Sequence, residues 1–172
     1  ICRTVNYRIE KFLRFETIDP SNIYRTKNFL LDYDNQFNLL SQKEIVENLD
    51  RKRTPFSNNE GLEDCRLFFF FYDLWFSCTT TDTNSVHPQI SLCKLSSSKN
   101  LSRFEQFIPV EELLVLQGPD FPNRDEKNWL PIFKEGELSF IYSYAPFLIY
   151  KPDLRTGVCE QILYYDQVYD FS

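Results

Sequence analysis

The sequence has no methionine and a single alanine, Ala145, and it holds only four glycines and one histidine. Alanine is the best helix former, so its scarcity argues against a helical bundle, whereas 17 phenylalanines and 10 tyrosines favour β structure. A chain of 172 residues is long enough to bury a sizeable core. Because translation starts with methionine, we expect this chain to be a piece of a longer protein.

Excess positive charge and long apolar runs are also missing. Lys and Arg total 19 against 25 Asp and Glu, a net charge of −6, which argues against nucleic acid as the partner because phosphates need clustered cations. The longest apolar run covers residues 67–72. A membrane-spanning helix needs roughly 20 apolar residues, so the sequence predicts no membrane span.

No recognisable metal or cofactor motif occurs. The five cysteines are widely spaced without a Cys-x-x-Cys pair, which argues against zinc, and no glycine-rich phosphate loop is present. The sequence therefore predicts neither a metal nor a cofactor. The odd number of cysteines indicates reduced thiols and favours the cytoplasm, although the compartment stays open and a bond between Cys78 and Cys93 on neighbouring strands stays possible.

Two segments repeat one pattern of four short strands. Residues 61–117 predict strands at 67–71, 74–80, 89–95 and 103–110, and residues 118–172 predict strands at 130–133, 138–142, 147–150 and 158–164. An offset of 63 residues separates Glu63 from Glu126 at the starts of the two copies. Four antiparallel strands repeated at a fixed period are typical of β-propeller blades; a two-sheet sandwich is the alternative.

Residues 1–60 are predicted to form part of an earlier, looser copy. Strands are expected at 3–8 and 24–31, and the spacing of Ile45, Val46 and Leu49 predicts one short helix over residues 42–53. The predicted fold is all-β: a partial β-propeller with two four-stranded antiparallel blades, part of a third blade and one short helix.

Charged side chains recur where the first strand of each predicted blade begins. The first strands of propeller blades lie nearest the central axis, so these side chains are expected to converge on one funnel. Crowded carboxyl groups can act as general acids, cations hold phosphate, and amides bind sugar hydroxyls. The alternative is a set of ion pairs that pin the strand ends. The residues are Glu63, Asp64, Arg66, Glu126, Lys127 and Asn128, joined by Arg3 and Asn6 from the earliest strand.

Two of these runs resemble motifs of a known family. Residues 61–67, GLEDCRL, resemble the Gly-[aliphatic]-Glu-Asp-Pro-Arg motif of the β-mannoside phosphorylases, glycoside hydrolase family 130. Residues 126–131, EKNWLP, resemble that family's Glu-Lys-Asn segment and its form in glycosyltransferase-like five-bladed propellers. The similarity covers most of the chain. It implies a five-bladed propeller that cleaves, phosphorolyses or transfers mannosyl-type sugars at its funnel.

The resemblance also implies roles for single residues. Asp64 matches the general acid, and Glu63 lies beside it as a second candidate carboxyl. Arg66 and Lys127 match positions associated with substrate or phosphate binding. The other candidate substrate-binding residues follow from their expected place at the funnel: Arg3, Asn6, Glu126, Asn128 and Trp129, of which Trp129 either stacks on a sugar or belongs to the core. Tyr142-Ser143 stand where phosphorylases carry His or Arg, which favours transfer, hydrolysis or plain binding over phosphorolysis.

Two functions therefore stay open. The first is an enzyme, a glycosyltransferase or a glycoside hydrolase, that acts on a carbohydrate or a sugar phosphate with a carboxyl general acid. The second is a non-catalytic carbohydrate-binding or structural module of a larger assembly. With 63 residues between repeats, 172 residues hold fewer than three blades, so the open blade edges are expected to pair with the rest of a parent chain or with an assembly partner.

Overall fold

The computed structural model describes residues 1–10, 14–50, 58–81, 87–96 and 105–166. These residues form fourteen strands and no helix, so they contain no helix that could cross a membrane. The strands are β1 (Cys2–Val5), β2 (Tyr7–Glu10), β3 (Arg14–Thr17), β4 (Tyr24–Tyr33), β5 (Leu39–Val46), β6 (Asn59–Glu60), β7 (Leu62–Phe70), β8 (Asp73–Thr80), β9 (Gln89–Leu95), β10 (Phe107–Val115), β11 (Leu130–Lys134), β12 (Glu137–Tyr144), β13 (Phe147–Pro152) and β14 (Cys159–Tyr165).

Strands β7 to β10 pair in sequence order as an antiparallel sheet, the middle meander. Strands β11 to β14 form a second such sheet, the C-terminal meander. Each begins with a two-residue hairpin turn in which both residues have positive φ, Phe71-Tyr72 in one and Glu135-Gly136 in the other. Turns of this kind match the right-handed twist of the flanking strands. The predicted pattern of four strands in each segment is therefore present in the structure.

The N-terminal strands are arranged differently. β4 pairs antiparallel with β1 and with β5, and it pairs in parallel with the short β6, while β2 and β3 form a separate hairpin. The first three residues of β10 pair in parallel with β5 before the strand crosses to β9. β10 thus joins the N-terminal strands and the middle meander into one eight-stranded sheet.

The helix predicted over residues 42–53 is wrong. Residues 42–46 belong to β5, residues 47–50 have no regular structure, and residues 51–53 lie outside the described part of the chain. β5 lies between β4 and the start of β10, which supply hydrogen bonds to its backbone on both sides. Ile45 is buried in the core of this sheet. This pairing with distant residues overrides the local helical spacing.

The middle meander is buried on both faces. One face forms a core with the N-terminal strands, made of Ile45, Leu62, Phe76, Cys78, Cys93, Leu95, Ile108 and Val110. The other face forms a core with the C-terminal meander, made of Phe70, Ile90, Leu92, Leu116, Trp129, Leu138 and Phe140. Burial on both sides explains why β9 reads as a nearly continuous buried strand. The middle meander thus lies between the two cores, and it shares one sheet with the N-terminal strands.

Candidate functional site

The motif at residues 61–66 is the start of β7, and its backbone is unusual. Gly61 has φ +107°, and a Cβ atom there would lie 2.4 Å from Thr26 Oγ1 and 2.6 Å from Thr26 O. Glycine is therefore required for β7 to begin this close to β4. Asp64 has φ +53°, and together with Cys65 it stands opposite the single residue Cys78. This arrangement is a β-bulge, a feature that often redirects side chains beside functional sites.

The bulge decides which side chains of the motif share a face. In a regular strand, residues 63 and 66 would point to opposite faces. Because the bulge adds one residue, Glu63 lies opposite Thr79 and Arg66 lies opposite Ser77, two positions on the same face of β8. That face is directed toward the C-terminal meander, where Phe68 and Phe70 also pack. The bulge thus brings a carboxyl and a guanidinium group to one side of β7.

Asp64 contacts the N-terminal strands. Its Oδ1 accepts a hydrogen bond from Arg3 Nη1 at 2.9 Å, and both side chains are partly exposed, 46% for Asp64 and 36% for Arg3. β1 and β7 are the two end strands of the eight-stranded sheet, so this ion pair links its ends. β4, the neighbour of β1, also contacts β7: Asn28 Nδ2 donates to Leu62 O at 2.7 Å.

Glu63 lies in a mixed field of charges. Burial raises the pKa of its carboxyl, the charges of Arg3 and Lys127 lower that pKa, and the neighbouring Asp64 raises it. The net direction is upward because desolvation is the largest effect. A carboxyl group with a raised pKa keeps its proton to a higher pH than a free carboxyl does, which is a property of general acids.

Arg66 reaches across to the C-terminal meander. Its Nη2 donates to Asn128 Oδ1 at 3.0 Å, and its Nη1 donates to Asp64 O at 3.3 Å. Asn128 has φ +63° and is exposed, as is Lys127. Residues from the starts of β1 and β7 and from the segment before β11 therefore meet. We call the set Arg3, Glu63, Asp64, Arg66, Lys127 and Asn128 the charged cluster.

Three predicted site residues lie outside this cluster. Glu126 is 3% exposed and accepts hydrogen bonds from Trp129 Nε1 and the Tyr142 hydroxyl. Trp129 is 1% exposed within the second core, so of its two predicted roles the structure supports the core one. The Asn6 side chain binds backbone atoms: its Nδ2 donates to Ile23 O and its Oδ1 accepts from Arg25 N, which fixes the start of β4.

Two hydroxyl groups on the same face of β8 are not singled out by the sequence motifs. Ser77 and Thr79 are 2% and 1% exposed, and neither Oγ atom has a hydrogen-bond partner within the described residues. They lie opposite Arg66 and Glu63. The sequence signal is a polar residue at alternate positions of a strand that is otherwise apolar and aromatic, Trp75-Phe76-Ser77-Cys78-Thr79.

Within the described ranges, no group of three or more His, Cys, Asp or Glu side chains is arranged to hold a metal ion. The five cysteines are free thiols, and the Sγ atoms of Cys78 and Cys93 lie 3.8 Å apart in the first core. A hydrogen bond with Cys78 and burial raise the pKa of Cys65, so the Cys65 thiol is not an activated nucleophile.

Comparisons with protein-family models, with curated proteins and with solved structures find no match to this chain. The charged cluster is therefore interpreted from its own geometry and from the motif resemblance described above.

Proposed function

We propose that this chain is part of a β-propeller that acts on carbohydrate at the charged cluster, by mannosyl-type glycosyl transfer or hydrolysis. The observation that carries the proposal is the pair of contacts Arg3–Asp64 and Arg66–Asn128, at 2.9 and 3.0 Å. These contacts join residues from β1, from the start of β7 and from the segment before β11. In a propeller, that is where the innermost strands meet around the funnel.

Burial of the middle meander on both faces favours the propeller over the two-sheet sandwich. In a sandwich each sheet buries one face and leaves the other to solvent. The middle meander instead contributes to a core on each face. An inner propeller blade is also buried on both faces. The blades of a propeller are separate sheets, whereas here the β5–β10 pairing joins the N-terminal strands and the middle meander in one sheet. The five-bladed form is taken from the motif resemblance.

The chemistry we propose uses the two carboxyl groups differently. Glu63, whose pKa is raised by burial, donates its proton to the glycosidic oxygen as that bond breaks. Water or an acceptor hydroxyl then bonds to the anomeric carbon and gives its proton to the Glu63 carboxylate. Asp64, held by Arg3, faces the developing positive charge of the sugar ring as a carboxylate. The resemblance assigns the general acid to Asp64, but burial favours Glu63 for this role. Arg66, Lys127 and Asn128 supply donors for sugar hydroxyls or a phosphate.

The test combines ligand binding with turnover. Mannose 1-phosphate, nucleotide sugars and aryl mannosides are screened for thermal stabilisation, because a ligand that binds only the folded chain raises its Tm. Among stabilising ligands, Glu63→Gln is expected to keep binding and to lower turnover by about 10²- to 10⁴-fold, the usual contribution of a general acid. Glu112→Gln, an exposed carboxyl on β10, is the matched control. If turnover is unchanged in Glu63→Gln and is lost in Asp64→Asn, the role of general acid belongs to Asp64.

A non-catalytic carbohydrate-binding module is the second candidate. One observation favours it: Asp64 Oδ1 and Asn128 Oδ1 are both engaged by arginine side chains of the chain itself. Groups in such a network can bind sugar hydroxyls at their remaining positions without chemistry. Stabilisation by a mannoside with no turnover in the wild-type chain, under conditions where the ligand saturates it, would support this second function and contradict the first.

A further inference from the structure

We propose that Glu126 is a positioning residue, which holds Lys127 and Asn128 in place toward Glu63 and Arg66. The inference rests on the proposed function, because the residues held in place belong to the charged cluster. It assigns Glu126 a different role from the substrate contact predicted from its position at the start of the second repeat. At 3% exposure, the Glu126 side chain offers almost no surface to a ligand.

Glu126 is fixed at both its backbone and its side chain. Its backbone N–H donates to Pro88 O at 2.8 Å. Its Oε2 accepts from Trp129 Nε1 at 3.1 Å, and its Oε1 accepts from the Tyr142 hydroxyl at 3.2 Å. Each carboxylate oxygen thus has its own donor. Trp129 belongs to the segment before β11 and Tyr142 belongs to β12, so the carboxylate ties the 126–129 segment to β12.

The groups that hold Glu126 are themselves rigid. The Trp129 ring packs against the rings of Phe140, Tyr142 and Tyr150, with centroids 5.9, 5.3 and 6.2 Å away. Gly118 lies close to both side chains: a Cβ atom on this glycine would lie 3.1 Å from Glu126 Oε1 and 3.0 Å from the Trp129 ring. A close-packed environment of this kind leaves the carboxylate a single arrangement.

Only two residues separate Glu126 from Trp129, and both belong to the charged cluster. Because the flanking side chains are buried and hydrogen bonded to each other, the backbone between them is closed into a short loop. Asn128 takes the left-handed conformation in this loop, with φ +63°, and Arg66 binds its side-chain oxygen. Asparagine tolerates that conformation better than most residues. The loop thus fixes the distance between Asn128 and Arg66.

The chemistry of the two hydrogen-bond donors, the Trp129 indole and the Tyr142 hydroxyl, explains why residue 126 is an acidic residue. The indole N–H can only donate, so its partner must be an acceptor, and a carboxylate also accepts from the Tyr142 hydroxyl. The Arg124 guanidinium lies 5.6 Å from the Tyr142 ring centroid and adds a nearby positive charge. Burial raises the pKa of Glu126, while the two hydrogen bonds and Arg124 lower it and Asp120 raises it.

The test has one readout that needs no ligand. In ¹H–¹⁵N spectra, Glu126→Ala is expected to shift the Trp129 indole signal and the Asn128 side-chain amide signals. Arg66→Ala is the reference for the second effect, because it removes the arginine that binds the Asn128 side chain and should also shift the amide signals. Glu126→Gln is expected to restore the Asn128 signals, because the amide oxygen can accept from the indole and its NH₂ can donate to the Tyr142 oxygen. Unchanged Asn128 signals in folded Glu126→Ala would overturn the proposal.

Tyrosine variants give a milder and matched comparison if Glu126→Ala does not fold. Tyr142→Phe removes one hydrogen bond to Glu126, whereas Tyr150→Phe removes a hydroxyl that bonds to Gln161 instead, at 3.2 Å. Both rings pack in the same cluster. We expect the Asn128 signals to move in Tyr142→Phe and to stay in place in Tyr150→Phe. Equal shifts in the two variants would count against the positioning role.

The second readout is a double-mutant cycle on binding of mannose 1-phosphate. Glu126→Ala is expected to weaken binding by about 10- to 100-fold in the wild-type background and by less than about threefold in an Asn128→Ala background, because both variants remove one interaction. Additive losses would overturn the proposal. If mannose 1-phosphate does not bind the wild-type chain, the substrate class fails while the spectra still decide the role of Glu126.

Discussion

The chain places acidic residues at the starts of two consecutive meanders, and the two environments differ. Glu63 and Asp64 at β7 lie among Arg3, Arg66 and Lys127, and Asp64 is nearly half exposed. Glu126 before β11 is buried and bound to an indole and a phenol. The repeat therefore preserves where an acid occurs along the chain but not what it contacts. We interpret the first position as the chemical one and the second as structural support for it.

The largest effect expected from this comparison is on stability, at the buried motif. Trp129→Ala removes a ring that is 1% exposed in the second core and also leaves Glu126 without its indole donor. Truncating a buried aromatic residue usually costs about 3–5 kcal/mol of the free energy of unfolding. Urea unfolding measures this loss. Lys127→Ala, two residues earlier and exposed, is the control and is expected to stay within about 0.5 kcal/mol of wild type.

A loss below about 1 kcal/mol in Trp129→Ala would mean that the residue is not a core residue. The contrast between the two motifs would then disappear, and a ligand-stacking role for Trp129 would return.

A smaller effect is expected for the carboxyl groups, and its sign depends on pH. Burial raises the folded-state pKa of Glu63, so the folded chain binds this proton more tightly than the unfolded chain does. The ionised carboxyl therefore lowers stability above its folded pKa, and the effect is absent below the unfolded pKa, near 4.5. Glu63→Gln should raise Tm at pH 7 by on the order of 1–3 °C, and the gain should vanish at low pH.

Glu126→Gln is the comparison for this measurement. Burial also raises the pKa of Glu126, but its carboxylate accepts two hydrogen bonds that an amide replaces less well. We expect a smaller gain at pH 7 than in Glu63→Gln. A lower Tm in Glu63→Gln at pH 7 would show instead that Arg3 and Lys127 outweigh the cost of burying Glu63.

Much of the sheet structure could be predicted from the sequence, because strand signals are local. The strand at residues 89–95 and the turn at residues 135–136 occur where alternation and turn residues predict them. The prediction of a short helix was wrong because β5 pairs with β10, about 60 residues away. The spacing of apolar residues within the segment contains no information about so distant a partner. β7 also begins at Leu62, five residues before the predicted start, so the acidic motif lies inside a strand.

The charged cluster was predictable only in part, for a related reason. Resemblance and spacing identify Glu63, Asp64, Arg66, Lys127 and Asn128, but they do not say which face of its strand each side chain occupies. The bulge at Asp64 and the left-handed Asn128 set those directions. Burial of Glu126 depends on Tyr142, 16 residues later, which forms the hydrogen bond that separates Glu126 from the cluster.

The smallest effect expected concerns the ion pair that closes the sheet. Arg3 and Asp64 are both substantially exposed, so their double-mutant cycle, with Arg3→Ala and Asp64→Ala, should give a coupling of only about 0.2–1 kcal/mol in urea unfolding. High salt should reduce it further, because ions screen exposed pairs. A coupling above about 2 kcal/mol would indicate that Asp64 is a structural residue. Weak coupling keeps the first motif free for chemistry, since a carboxylate held loosely by one arginine can exchange that partner for a substrate.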